Sequence, residues 1–146
     1  MDSDQIDISL NWKNKEANRI PEASWMMFNF ALEKDTPCYL NKMGEYISPY
    51  EVVENGNRAL HAVWKDIKCS VYNNSGNPKT MELVLESLEA PLVSIGNPRI
   101  LEFDQTNPDI SEGIYINLHN NLWGTNFPMW YEDDGFFRFK LTFREV

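Results

Sequence analysis

Cysteine, histidine and basic residues are all scarce in this chain, and each shortage removes a class of function. Only Cys38 and Cys69 are present, and they form neither a C-x-x-C pair nor any zinc-like spacing. We expect both thiols to be free and half buried, as suits a reducing cytoplasm, although spacing alone leaves a single disulfide between them open. His61 and His119 are the only histidines, and neither lies near a second ligand in sequence. Such histidines usually serve as structural hydrogen-bonding residues, so no metal and no other cofactor is expected. Lys and Arg number 13 against 22 Asp and Glu, for a formal net charge of −9. With no basic stripe to offset that charge, nucleic acid is not an expected partner.

Long apolar runs are missing too. No stretch approaches the roughly 20 residues that a membrane helix needs, so no membrane partner is expected. The start, Met-Asp-Ser-Asp, has neither the basic region nor the apolar region of a signal peptide. The expected location is therefore cytoplasmic. Catalytic signatures are equally absent: no G-x-S-x-G elbow, phosphate loop, H-E-x-x-H or glycine-rich dinucleotide loop occurs.

What the chain does contain is apolar and aromatic residues in short alternating runs. Hydrophobic residues make up 42% and aromatics 13% of 146 residues, enough for one core and against disorder. Ile6, Ile8 and Leu10 alternate with polar residues, as do Ile114, Ile116 and Leu118, and Phe137, Phe139, Leu141 and Phe143. That is the period of strands with one buried face. Ala23 to Phe30 is apolar at nearly every position and reads as a strand covered on both sides. Pro21 stops any ladder ahead of it. Leu40 to Pro49 reads as a turn with short flanking strands, and Leu92–Ile95 and Arg99–Phe103 as short strands. Asn73 to Pro78 is the clearest turn and joins Cys69–Tyr72 to Thr80–Leu88. Thr80–Leu88 fits both periods; nine residues is short for a helix, and its neighbours favour a strand. With no repeat and no linker, the expectation is one domain over residues 1–146, an all-β antiparallel β-sandwich of about ten short strands.

Two places invite a chemical reading. Glu132-Asp133-Asp134 precedes Gly135 and looks like a solvated acidic turn; a small hydrolase would pair Asp133 or Asp134 with Glu22. Glu22 buried beside Arg19 would instead be half of a structural ion pair. The second place is Asn120 to Tyr131, where amides and large aromatics crowd between two strands. Asn121, Trp123, Thr125, Asn126, Trp130 and Tyr131 are the candidate contact residues, for a carbohydrate or a protein partner. The same segment could be a plug whose rings fill the core.

The runs Asn18-Arg19-Ile20-Pro21-Glu22-Ala23-Ser24-Trp25, Glu89-Ala90-Pro91-Leu92-Val93, Asn120 to Trp130 and Phe137-Arg138-Phe139 carry a resemblance. In this order they resemble the C-terminal region of DUF5054-type glycosidase-like proteins related to the family 38 α-mannosidases. The resemblance implies a galactose mutarotase-like, supersandwich-type fragment that supports a catalytic α/β barrel. That barrel holds the family's zinc and nucleophile and is absent from this chain, so no catalytic residue carries over. The implied function is a non-catalytic accessory domain of an α-mannosidase-like glycoside hydrolase, either excised or free-standing. The alternative is a free-standing carbohydrate-binding module.

Overall fold

Residues that alternate in sequence lie on one face of a strand, and pairing such strands in register builds an apolar sheet face. The computed structural model describes residues 3–73, 79–122 and 129–145. Its strands are β1 (Ser3–Lys15), β2 (Ala23–Phe28), β3 (Cys38–Lys42), β4 (Glu45–Ile47), β5 (His61–Ala62), β6 (Asp66–Asn73), β7 (Lys79–Ser87), β8 (Leu92–Ile95), β9 (Ile114–Asn120) and β10 (Asp133–Glu145). The helical structure among the described residues is a single 3-10 turn, Ile110–Glu112.

One antiparallel sheet runs β1-β10-β7-β6-β3-β4. Ile6, Ile8 and Leu10 stand opposite Leu141, Phe139 and Phe137, and Leu141 in turn opposes Leu85. Leu85 faces Ile67, and Leu83 faces Cys69. The β3–β4 hairpin turns through Met43 and Gly44, both at positive φ, as a tight hairpin requires. The second sheet runs β2-β9-β8-β5. There Ile116 sits between Met26 and Val93, and Ile114 between Phe28 and Ile95. The two sheets share one buried cluster, with Leu40, Ile67, Leu83, Leu85, Phe139 and Leu141 from the first. Phe28, Val93, Ile95, Ile114 and Ile116 come from the second. The expected all-β sandwich of about ten strands is therefore the observed fold.

Several local expectations change. The Ala23–Phe30 run is not covered on both sides: β2 is an edge strand and Met27 is 45% exposed. Of β2 only Phe28 is fully buried, and apolar composition carries no record of a strand's place at an edge. Arg99–Phe103 is not a strand. Leu101 has φ 59°, which breaks an extended run, and the segment is tied down instead by Arg99 on Asp104. Thr80–Leu88 resolves to the strand reading. Asn74–Pro78 lies outside the described residues, but β6 and β7 are antiparallel neighbours on either side of it.

The acidic segment also moves out of a turn, because Asp133 and Asp134 open β10. Opposite them β1 bulges between Trp12 and Lys15, and Asn14 takes φ 53°. Gly135 is there for packing. It pairs with Trp12, and a Cβ at this position would fall inside the Trp12 indole.

Candidate functional site

A second bulge builds the site. Ser24 pairs with His119 and Trp25 with Asn117, so Leu118 is the extra residue on β9. Continued alternation from Ile114 and Ile116 would send His119 to the outer, polar face. The bulge instead re-aims it. Its ring stands edge-on to Trp12, with centroids 6.4 Å apart, and 5.3 Å from that of Tyr131. Trp12 in turn packs edge-on against Phe137 at 5.0 Å. One end of the sandwich therefore gathers an aromatic group from β1, β9, the start of β10 and the segment before it.

Polar atoms at this end are unevenly served. Both ring nitrogens of His119, Trp12 Nε1 and Asn120 Oδ1 are buried with no hydrogen-bond partner among the described residues. Burial lowers the His119 pKa from its ordinary value. The nearby Lys15 charge acts in the same direction, and Glu22 acts against it. The ring is thus neutral near pH 7, with one nitrogen a donor and the other an acceptor.

The carboxylates are engaged. Glu22 receives Lys15 Nζ at 2.5 Å and Asn18 Nδ2 at 3.2 Å; Lys15 is the main reason its pKa is lowered. Its cationic partner is Lys15 rather than the expected Arg19, because the β1 bulge carries Lys15 to the 16–22 loop. Asp134 accepts the Asn14 backbone N–H at 2.8 Å and Lys13 Nζ at 3.1 Å, and both hold its pKa below the usual carboxylate range. A glycosidase acid must be protonated at working pH, and both of these groups are shifted the other way. The shallow cleft of about 400 Å³ between Asn14–Ala17 and Glu132–Asp134 takes in Asp134 but not Glu22, so it does not bring that pair of carboxylates together. Among the described residues no group of three His, Cys, Asp or Glu could hold a metal ion, and no helix is long and apolar enough to cross a membrane.

The contact residues expected from sequence separate. Asn121 is buried and ties down the 16–22 loop. Its Nδ2 donates to the carbonyls of Asn18 and Ile20, each at 3.0 Å, and its Oδ1 accepts Glu22 N–H at 2.6 Å. Both amide hydrogens and one lone pair of the oxygen are spent on backbone groups, so it acts as a positioning residue for that loop. Trp130 is 53% exposed and Tyr131 is also exposed; the Tyr131 hydroxyl donates to the Asp134 carbonyl at 3.1 Å. Trp123, Thr125 and Asn126 lie outside the described residues. Lys15 and His119 were missed because each follows a bulge, which no alternation pattern announces. Trp12 continues the alternation of Ile6, Ile8 and Leu10, and was missed because its neighbours here come from distant strands. Trp64 was missed as well. It is 62% exposed and lines a groove of about 300 Å³ with Leu88, Glu89 and Pro91.

Asn121→Ala is expected to cost about 2 kcal/mol, from three lost hydrogen bonds and the backbone groups they leave unpaired. Urea unfolding measures it. Unchanged stability would return Asn121 to the list of free contact residues.

Comparison of the chain with protein-family models, with curated proteins and with solved structures gives no match.

Proposed function

We propose that this chain is a non-catalytic β-sandwich domain that acts by contact through the Trp130–Tyr131 end. In the reading its sequence resemblance suggests, the contact is with the catalytic barrel of an α-mannosidase-like glycosidase. The observation that carries a binding role over a catalytic one is the pairing at that end. Two aromatics stand exposed there, while Glu22 and Asp134 are each held by a lysine. An exposed indole among polar groups is the kind of anchor that dominates contact energies. The setting we propose is cytoplasmic, in keeping with two free thiols.

The second reading is a free-standing carbohydrate-binding module. It is favoured by the open indole of Trp130, whose flat apolar face suits the apolar face of a pyranose.

The domain alone is expected to show no turnover of aryl α-mannosides. Added to a family 38-type catalytic barrel, it is expected to co-sediment, and Trp130→Ala to weaken the association roughly tenfold or more. The same variant should unfold within about 0.5 kcal/mol of the parent, because an exposed side chain carries little of the core. Binding to mannose oligosaccharides instead, lost in Trp130→Ala, would select the second reading. Hydrolysis by the isolated chain, or partner binding indifferent to Trp130, would overturn the proposal.

A further inference from the structure

Cys38 and Cys69 are register partners across β3 and β6. Directly opposed residues of antiparallel strands have Cα atoms about 4.5–5.5 Å apart, inside the roughly 4.4–6.8 Å that a disulfide spans. The Cys69 thiol donates to Cys38 Sγ at 3.3 Å. Both cysteines are free and each is 1% exposed. Zinc would need further ligands, and no such group exists among the described residues.

The strand that this pair would tie down has a short ladder to β6, supplemented by hydrogen bonds from Asn41 and Tyr46 to the Asp66 carboxylate. Only Cys38–Leu40 pair with Ile67–Cys69, and on its other side β3 carries nothing but the short β4. The hairpin also exposes an apolar edge, with Tyr39, Met43, Tyr46 and Ile47 all open to solvent.

We propose that Cys38 and Cys69 are a site of reversible disulfide formation, closed by exchange with a low-molecular-weight disulfide such as oxidised glutathione, which clamps the β3–β4 hairpin to β6. The thiolate of one cysteine attacks a sulfur of glutathione disulfide, forming a mixed disulfide and releasing one glutathione thiolate. The second cysteine, already in contact, attacks the protein-side sulfur; the Cys38–Cys69 bond closes and the second glutathione leaves. Two protein thiols are oxidised, one disulfide is reduced to two thiols, and the two protein protons pass to the departing thiolates. The hydrogen bond from Cys69, followed by burial, raises the Cys38 pKa well above its ordinary value. Exchange therefore proceeds through openings of the hairpin and speeds up with pH.

The test exposes the folded protein to glutathione buffers of increasing oxidised fraction, then quenches in acid for intact-mass analysis. Because burial slows attack, a second sample is refolded from urea in the same buffers. The expected product is a monomer lighter by two hydrogens, with no maleimide-reactive thiol and no glutathione adduct. Its melting temperature should be several degrees higher, an increase that dithiothreitol reverses. Cys38→Ser and Cys69→Ser, refolded alike, should gain neither the bond nor the shift. Persistent glutathione adducts, disulfide-linked dimers, two free thiols after oxidative refolding, or an oxidised form that melts lower would each overturn the proposal.

Discussion

Phe139→Ala is expected to lower the unfolding free energy by about 3–5 kcal/mol, the range for an aromatic removed from a well-packed core. Phe139 is 2% exposed and lies on β10 between Ile8 of β1 and Ser87 of β7. Its ring meets Phe28 of the opposite sheet with centroids 5.3 Å apart and planes at 67°. The side chain therefore joins the two sheets as well as filling space, and backbone ladders on both sides limit collapse into the cavity. A domain of this size has roughly 5–15 kcal/mol in total, so the variant should be partly unfolded well below the parent's midpoint. Urea unfolding measures the loss. A double-mutant cycle with Phe28→Ala should return a coupling of about 0.5–1.5 kcal/mol for the ring pair. A loss below about 1 kcal/mol would mean that the sheets do not close on Phe139.

Acidification is expected to cost a further large amount through His61. This residue lies on β5 opposite Val93, is 6% exposed, and has a buried Nε2 with no partner among the described residues. Burial, with a smaller push from Lys42, lowers its pKa from 6.5 to about 4, while a hydrogen bond to the Arg58 backbone works the other way. Protonation would place an unpaired N–H and a positive charge in the core. Above pH 6.5 the ring is neutral in both folded and unfolded chains, and the stability is complete. Between about 6.5 and 4 the unfolded chain takes up a proton that the folded chain refuses, so stability falls with pH, by about 3 kcal/mol in all. Glu22, Asp109 and Asp134 also have lowered pKa values. Their stabilising effect is present above the ordinary carboxylate values and is lost as pH falls through the lowered ones, mostly beneath the His61 window. Unfolding curves at pH 7 and pH 5 for the parent and His61→Gln separate the two groups. The variant should lose most of the difference, leaving the smaller share of His119, whose pKa is also lowered. An unchanged pH slope in His61→Gln would place the acid sensitivity elsewhere.

Legibility differs by residue for physical reasons. Ile6, Ile8 and Leu10, and Phe137 to Phe143, announce their strands because one buried face with a period of two leaves a direct imprint on sequence. The β6–β7 pairing was legible from the turn residues between the two strands. His119 was not, because it follows a bulge that reverses its facing. Asp133 and Asp134 looked like a turn because Asp-Gly is a turn signal, whereas Gly135 is required by the Trp12 ring that lies over it. Asn121 looked like a ligand contact because a free amide and a structural one have the same composition. Only its three backbone partners tell them apart.

The sequence by itself determined the all-β class, the strands with a buried face and the lack of any catalytic motif. These properties follow from local alternation and composition. Tertiary structure alone decided that Cys38 faces Cys69, that Lys15 rather than Arg19 holds Glu22, and that Trp12, His119 and Tyr131 meet at one end. The first depends on the β3–β6 register, and the other two on the bulges in β1 and β9 as well as on strand order. Those are set by the packing of segments distant in sequence, and a one-residue shift in a ladder would undo the contact that the ladder sets.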